Sequence, residues 1–260
     1  MKKHLAPLVV AAILAAGAAW ADSKPHWSYS GPDGPSHWTD HWPDCGGSRQ
    51  SPVDITRVTI DPPLGTVQFS YRDFKPTITN NGHTIQVSGD KMGEAYSSFD
   101  STSSSTWNLL QFHFHAPSEH TIGGQHHEME LHLVHALAGD PNQLLVVGVM
   151  MERSDIPQGI PTFDLLTKNM PQKEGEVTLG SVMNAGQLLP PTASFETSLD
   201  RAYYTYPGSL TTPPCSQIVT WVVLRDLRRA PEFMVAFEAL YDHTNRPVQS
   251  LNARLVKAER

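Results

Sequence analysis

The chain has 260 residues, with 26 acidic against 19 basic side chains and a net charge of −7. It carries no basic stripe, which argues against nucleic acid or an anionic membrane surface as a partner. Beyond the extreme N-terminus no segment approaches the roughly 18 to 20 continuous apolar residues of a membrane span, so no stable membrane insertion is expected.

In chain order, Lys2 and Lys3 precede an apolar stretch over residues 5–19, and Ala19-Trp20-Ala21 is a small-x-small cleavage site. Residues 1–21 therefore read as a cleaved signal peptide, because the run is too short and too rich in alanine for a transmembrane anchor. That predicts a periplasmic or secreted protein whose mature part, 22–260, is a single domain. Without Lys2 and Lys3 the balance is 17 basic to 26 acidic residues, a charge of −9. Residues 22–54 are rich in Trp, Pro and Gly without periodicity and suggest a segment wrapped over the surface. Strand-like runs follow at 66–71, 75–79, 84–88, 107–115, 128–138, 144–152 and 218–225. The serine-rich stretch 97–106 reads as a loop. Helical signals are few: 161–167, stopped before Pro171, and 231–241, where Phe233, Phe237 and Leu240 recur at helical spacing behind Pro231. The fold class expected is α+β and β-dominated, a single domain on a large, mostly antiparallel twisted central sheet with a few short peripheral helices.

The two cysteines, Cys45 and Cys215, both lie in the mature part. An even pair in an oxidising compartment reads as a disulfide, and no CxxC spacing supports metal binding instead. Such a bridge closes a loop of about 170 residues, for which chain-entropy models give roughly 5 kcal/mol.

The most informative motif is Gln111-Phe112-His113-Phe114-His115, followed by His132 in Glu130-Leu131-His132-Leu133-Val134. On a strand His113 and His115 share one face while Phe112 and Phe114 take the other, and His132 can arrive from a neighbouring strand. Three imidazoles leave zinc's fourth tetrahedral position open, the arrangement of a catalytic site. Metal-bound histidines usually donate their second ring N–H to an acceptor that fixes the ring. Gln111 and Glu130 each stand two residues before a ligand on the same face. Among the remaining histidines, His126 and His127 lie beside Gly123-Gly124 in a loop, His120 follows Glu119 in a turn-like segment, and His135 points away from His132 as a packed core residue.

These segments closely resemble the α-class carbonic anhydrases of the bacterial, exported branch. The resemblance also rests on Ser118-Glu119-His120-Thr121, Tyr206-Pro207-Gly208-Ser209-Leu210-Thr211-Thr212-Pro213-Pro214, Gln50-Ser51-Pro52-Val53-Asp54-Ile55, Asn80-Asn81-Gly82-His83 and Arg246-Pro247-Val248-Gln249. The matches run in family order over about residues 26–258.

The resemblance implies one zinc on His113, His115 and His132 and reversible hydration of CO2 to bicarbonate and a proton by zinc-bound hydroxide. Glu119 and Thr211 match the pair that orients the hydroxide, and Thr212 a second polar residue at the substrate face. Val134, Val146, Val219, Leu210 and Trp221 match the apolar substrate wall. His83 matches the proton shuttle, with Tyr29, Asn81 and Gln86 as water-network partners. It further implies a modest esterase activity, inhibition by sulfonamides and anions, a Cys45–Cys215 bridge beside the Thr211 loop, and cis peptides at Pro52 and Pro214. A monomer or homodimer is compatible with the pattern. Thr244 departs from the family's usual asparagine near a histidine-orienting contact, which is harmless if that contact uses a backbone carbonyl. The competing readings are a catalytically silent protein of the same fold, disfavoured because all three histidines with Glu119 and Thr211 are intact, and a zinc-scavenging protein, for which His126-His127 is weak support.

Overall fold

A computed structural model of the chain describes residues 25–60, 64–99, 104–154, 159–191 and 201–258. The expected signal peptide lies outside these residues, as do residues 100–103 of the serine-rich loop. The described residues are organised by one 13-stranded sheet. From one edge its path runs Gly175–Thr178, Thr77–Asn80, Ile85–Ser88, Ser105–His115, Met129–Leu137, Asp140–Glu152, Val219–Leu224, Tyr203–Gly208, Val256–Ala258 and Val58–Ile60. Val67–Tyr71, Gly93–Ser97 and Arg228–Arg229 attach off this path.

The seven expected strand runs each overlap a strand, and the central pairings are antiparallel. The sheet is nevertheless mixed. Asp140–Glu152 pairs parallel with Val219–Leu224, and Val256–Ala258 pairs parallel with Val58–Ile60. Parallel neighbours need a long return path. Here the chain supplies one by running from Glu152 through helix α1, Pro161–Asn169, to the far edge of the sheet at Gly175–Thr178, and returning through Tyr203–Gly208. That last strand is not among the expected runs, and its Pro207 and Gly208 are residue types that strand interiors disfavour. The expected loop at 97–106 is shorter than foreseen, since Gly93–Ser97 and Ser105–His115 take both of its ends into the sheet.

Helix α1 runs two residues beyond expectation, and helix α2, Pro231–Glu238, stops three short. Both bury aromatic side chains against the back of the sheet. Phe163, Phe233 and Phe237 meet Phe112, Phe114, Leu131, Leu133, Val147 and Val149, and the Phe114 and Phe233 rings lie 4.5 Å apart. Each such buried side chain contributes about 1.5–3 kcal/mol relative to exposure. The front face carries a smaller apolar layer that includes Val134, Val146, Tyr206, Trp221 and Val223. The N-terminal segment is three short 3-10 turns, Gly31–Asp33, Trp38–Asp40 and Pro43–Gly46, which pack Trp38 and Cys45 against Cys215.

Candidate zinc centre

The register of the sheet sets the site. His132 lies directly opposite His113 on one side, and Gln86 flanks His113 on the other. His115 lies opposite Glu130. Two-residue alternation puts Gln111, His113, His115, Glu130, His132 and Val134 on the front face, and Phe112, Phe114, Leu131 and Leu133 in the core behind it.

Each imidazole is oriented by a different acceptor. His113 Nδ1 donates to Gln111 Oε1 at 2.9 Å, His132 Nε2 to Glu130 Oε1 at 2.9 Å, and His115 Nδ1 to the carbonyl oxygen of Thr244 at 2.5 Å. The contact at Thr244 therefore uses the backbone, and the change from asparagine leaves it intact. The Thr244 hydroxyl adds to it by accepting from Ala116 N at 3.0 Å. The other ring nitrogens, Nε2 of His113 and His115 and Nδ1 of His132, are turned toward one another. The three residues offer ligand atoms all within 4.8 Å. His115 Nε2 is buried with no hydrogen-bond partner. A buried lone pair without a donor is costly, and a cation shared by the three nitrogens relieves it, so the residues present fit a zinc ion.

Electrostatics agree. Burial lowers the pKa of all three histidines: His113 well below 6.5, His115 to about 4, and His132 below its ordinary value. They are neutral at physiological pH, as metal ligation requires. Glu130 is fully buried, and burial alone would raise its pKa. Electrostatic attraction to the His120 and His132 rings and the hydrogen bonds they donate overcome that and hold it well below the usual carboxylate range. Its Oε1 accepts from His132 and from His120 Nδ1 at 2.8 Å, and its Oε2 from the backbone N–H groups of Glu119 and His120 at 2.9 and 2.8 Å. His120, read from sequence as a turn residue, is thus wholly buried beneath the centre, where its Nε2 meets Tyr206 Oη at 2.6 Å.

Glu119 Oε2 lies 3.6 Å from His115 Nε2 and 3.9 Å from His132 Nδ1, while Oε1 accepts from the Arg246 backbone N–H at 2.8 Å. Burial pushes its pKa up to about 7, against the lowering influence of His132, the Arg246 N–H and the Thr211 hydroxyl. Tyr29 stands edge-on to His115 with ring centroids 6.4 Å apart. Burial and the Glu119 carboxylate raise its pKa well above 10, so it keeps its proton.

The centre opens into a cavity of about 300 Å³. His83, Tyr29, Asn81, Gln86 and Gln111 line one side together with Trp27, whose ring stacks on His83 at 3.7 Å. Val134, Val146, Leu210, Trp221, Thr211 and Thr212 line the other. Val219 departs from expectation: it does not line the cavity but is 3% exposed within the apolar layer, opposite Leu144 in the sheet. Leu110, Pro141, Leu144 and Ile218 extend the wall instead. Leu144 alternates with Val146 on Asp140–Glu152, Pro141 stands at the start of that strand, Leu110 sits where the pairing of Ser105–His115 with Met129–Leu137 shifts register, and Ile218 immediately precedes Val219–Leu224.

The Thr211 loop is held from below by the Cys45–Cys215 disulfide, which joins residues 170 apart. Ser51–Pro52 and Pro213–Pro214 are cis as expected, and Ala116–Pro117 is a third cis bond.

The eukaryotic-type carbonic anhydrase model matches residues 33–260. The chain belongs to this family. It is 35% identical to the carbonic anhydrase of Neisseria gonorrhoeae, over 97% of this chain and 96% of that one, and 38% identical to that of Klebsiella pneumoniae, over 89% and 90%. Among solved structures, the α-carbonic anhydrase of Thermovibrio ammonificans in complex with the inhibitor sulfanilamide aligns with a TM-score of 0.77. It is 37% identical, over 89% of this chain and 98% of that one. The activity of the chain is accordingly the zinc-dependent, reversible hydration of carbon dioxide, with one zinc per chain.

Proposed function

We propose that His113 and His115 through Nε2 and His132 through Nδ1 hold the zinc, that Glu119 and Thr211 orient the nucleophile, and that His83 carries the proton to solvent. The observation that carries this reading is the partnerless, buried Nε2 of His115 among three imidazoles whose other nitrogens are all engaged. Zinc bound there supplies a Lewis acid that makes water nucleophilic near neutral pH, and neutral ligands leave its full charge for that purpose.

The chain's own atoms do the rest. Above its pKa of about 7 Glu119 is ionised and can only accept, so the Thr211 hydroxyl donates its hydrogen bond to the carboxylate. Thr211 Oγ1 must then accept from the attacking oxygen, which turns a lone pair toward the wall of Val134, Val146, Leu210 and Trp221. That wall offers no hydrogen-bond partner, so water leaves it readily and apolar CO2 takes its place. Thr212 is the polar neighbour at this face. Carbon dioxide and water give bicarbonate and one proton. Bicarbonate is charged, gains nothing from the apolar wall, and departs as water returns. The proton passes to a ring nitrogen of His83, whose pKa burial lowers from 6.5, and from there to buffer. Tyr29 and Gln86 border the path. Asn81 contributes through its amide N–H groups, because its Oδ1 already accepts from His83 N and Thr84 N.

The same nucleophile supports a modest esterase activity, and likeness to the Thermovibrio enzyme solved with sulfanilamide supports inhibition by sulfonamides. The N-terminal pattern and the disulfide support a signal peptide at 1–21, export to the periplasm or beyond, and a catalytic domain over 22–260. A scavenging role is unsupported, since His126 Nδ1 donates to Ser118 O and His127 pairs with Glu152. Stopped-flow CO2 hydration by purified, zinc-loaded protein tests the reading. Activity abolished by a sulfonamide and by stripping the metal is expected, and a folded, zinc-loaded sample that does not hydrate CO2 would overturn it.

A further inference from the structure

Arg246 is 2% exposed, yet among the described residues its guanidinium meets carbonyls and not a carboxylate. Nη1 donates to Gln50 Oε1 at 2.7 Å and to Ser51 O at 2.9 Å, and Nη2 to Cys45 O at 2.9 Å. The Trp38 ring covers the group, with Cζ 5.4 Å from its centroid, and Nε has no partner. Burying a cation whose hydrogen bonds all go to neutral carbonyls is costly, even with the Glu119 carboxylate acting on it through space, and some folds retain such a group for its geometry.

The acceptors indicate the use. All three sit on the segment from Cys45 to Ser51, and that segment grips the loop bearing Thr211. The disulfide joins Cys45 to Cys215, and Gln50 Nε2 donates to Cys215 O at 3.2 Å. Ser51 and Ser209 exchange backbone-to-hydroxyl hydrogen bonds at 3.0 and 3.1 Å, and Arg49 N donates to Gln217 Oε1 at 2.6 Å. The backbone N–H of Arg246 meanwhile holds Glu119 Oε1. One residue therefore has its amide on the carboxylate and its side chain on the clasp beneath the threonine.

We propose that Arg246 is a positioning residue, whose guanidinium ties the Glu119 carboxylate to the Cys45–Ser51 clasp and so fixes the register of Glu119 against Thr211. The proposal rests on the role given above to that pair. Arginine is required because a planar fork spans several carbonyls at fixed angles, whereas the compact ammonium of lysine cannot reproduce the set.

The test uses Arg246→Lys and Gln50→Met in the full zinc-loaded enzyme, alone and combined with Thr211→Ala. It reads kcat/KM for CO2 hydration, kcat at saturating buffer, and hydrogen exchange at the 246 amide in metal-free protein. If the side chain sets the register, Arg246→Lys lowers kcat/KM roughly tenfold, the scale of a displacement well under 1 Å at a reacting group. It leaves kcat in high buffer nearly unchanged, since the proton exits through His83 across the cavity. Exchange at the 246 amide accelerates, and the kcat/KM loss largely disappears in the Thr211→Ala background. An unchanged kcat/KM, or a loss of equal size with and without Thr211, would overturn the proposal. Should Arg246→Lys not fold, Gln50→Met decides. A smaller kcat/KM loss with faster exchange at the 246 amide supports the tether, and no loss, or a loss with that amide still protected, refutes it. A fully active Thr211→Ala single variant would instead remove the role of the Glu119–Thr211 pair itself.

Discussion

Gly148 stands opposite His132 in the neighbouring strand, and a methyl group there is expected to weaken zinc binding without touching a ligand. A Cβ built on Gly148 would lie 2.7 Å from Glu130 Oε1, while its next neighbour, Val223 Cγ2, is at a comfortable 3.6 Å. Ordinary van der Waals contact begins near 3.4 Å, so Glu130 Oε1 must retreat by about 0.7 Å in Gly148→Ala. That same oxygen holds His132 Nε2 at 2.9 Å and His120 Nδ1 at 2.8 Å. A retreat along either bond brings it to about 3.6 Å from His132 or about 3.5 Å from His120, beyond useful hydrogen bonding. Losing the partner that orients a metal-bound histidine typically costs 10–100-fold in metal affinity. Zinc affinity is measured by competition with a chromophoric chelator, and a fall of about tenfold or more is expected. The global stability loss should stay within the roughly 1–3 kcal/mol of ordinary overpacking. An affinity equal to the wild type would refute the reasoning, since it would mean that Glu130 moves freely or that His132 needs no support.

Three further outcomes are expected. His83→Ala slows turnover in dilute buffer, added imidazole restores it, and kcat/KM holds; a deficit insensitive to buffer would mean that the proton leaves by another route. His135 is buried on the back face, its Nε2 at 2.9 Å from Tyr71 Oη and its Nδ1 at 3.2 Å from Leu145 O, and burial lowers its pKa from 6.5 to about 4. Above pH 6.5 it is neutral folded or unfolded. As pH falls from 6.5 to 4 only the unfolded chain takes up its proton, so about 3 kcal/mol of stability is lost across that window. Urea unfolding at pH 7 and pH 4 should show His135→Gln losing less on acidification than the wild type, and an equal loss would contradict the assignment. Replacing Cys45 and Cys215 together by alanine should cost about 2–5 kcal/mol, as expected for opening a long loop, and an unchanged melting temperature would show the bridge to be unimportant for stability.

How much of this was legible in the sequence follows from how local each signal is. His113 and His115 share a face because they are two apart on a strand, and Gln111 and Glu130 reach their histidines by the same alternation, so both orienting contacts could be read from spacing. The register of His132 opposite His113 could only be inferred as adjacency, since the sequence does not number one strand against another. The parallel pairing of Asp140–Glu152 with Val219–Leu224 was hidden for a related reason: a long excursion through α1 erases any local trace of which strands meet. Tyr203–Gly208 is not among the expected runs, and its proline and glycine are residue types that strand interiors disfavour, a preference that the tertiary pairing overrides.

Backbone atoms were least legible, and they carry much of the site. His115 is oriented by a carbonyl of Thr244, Glu119 by an amide of Arg246, and Glu130 by the amides of Glu119 and His120. Any residue type presents those atoms, so composition and spacing are silent about them, and the Thr244 substitution is tolerated for that reason. What the sequence can record is the side chain that keeps such a backbone atom in place. At 244 it is a hydroxyl turned back on Ala116 N, and at 246 a guanidinium spread over three carbonyls. Position 244 admits another side chain able to keep the carbonyl in place, because only the carbonyl is asked for. Position 246 does not, because its fork and its amide act on two parts of the site at once. The same comparison separates Gly148 from the exposed glycines of the chain: its requirement is a missing atom beside Glu130, a constraint that appears only when the two strands lie side by side.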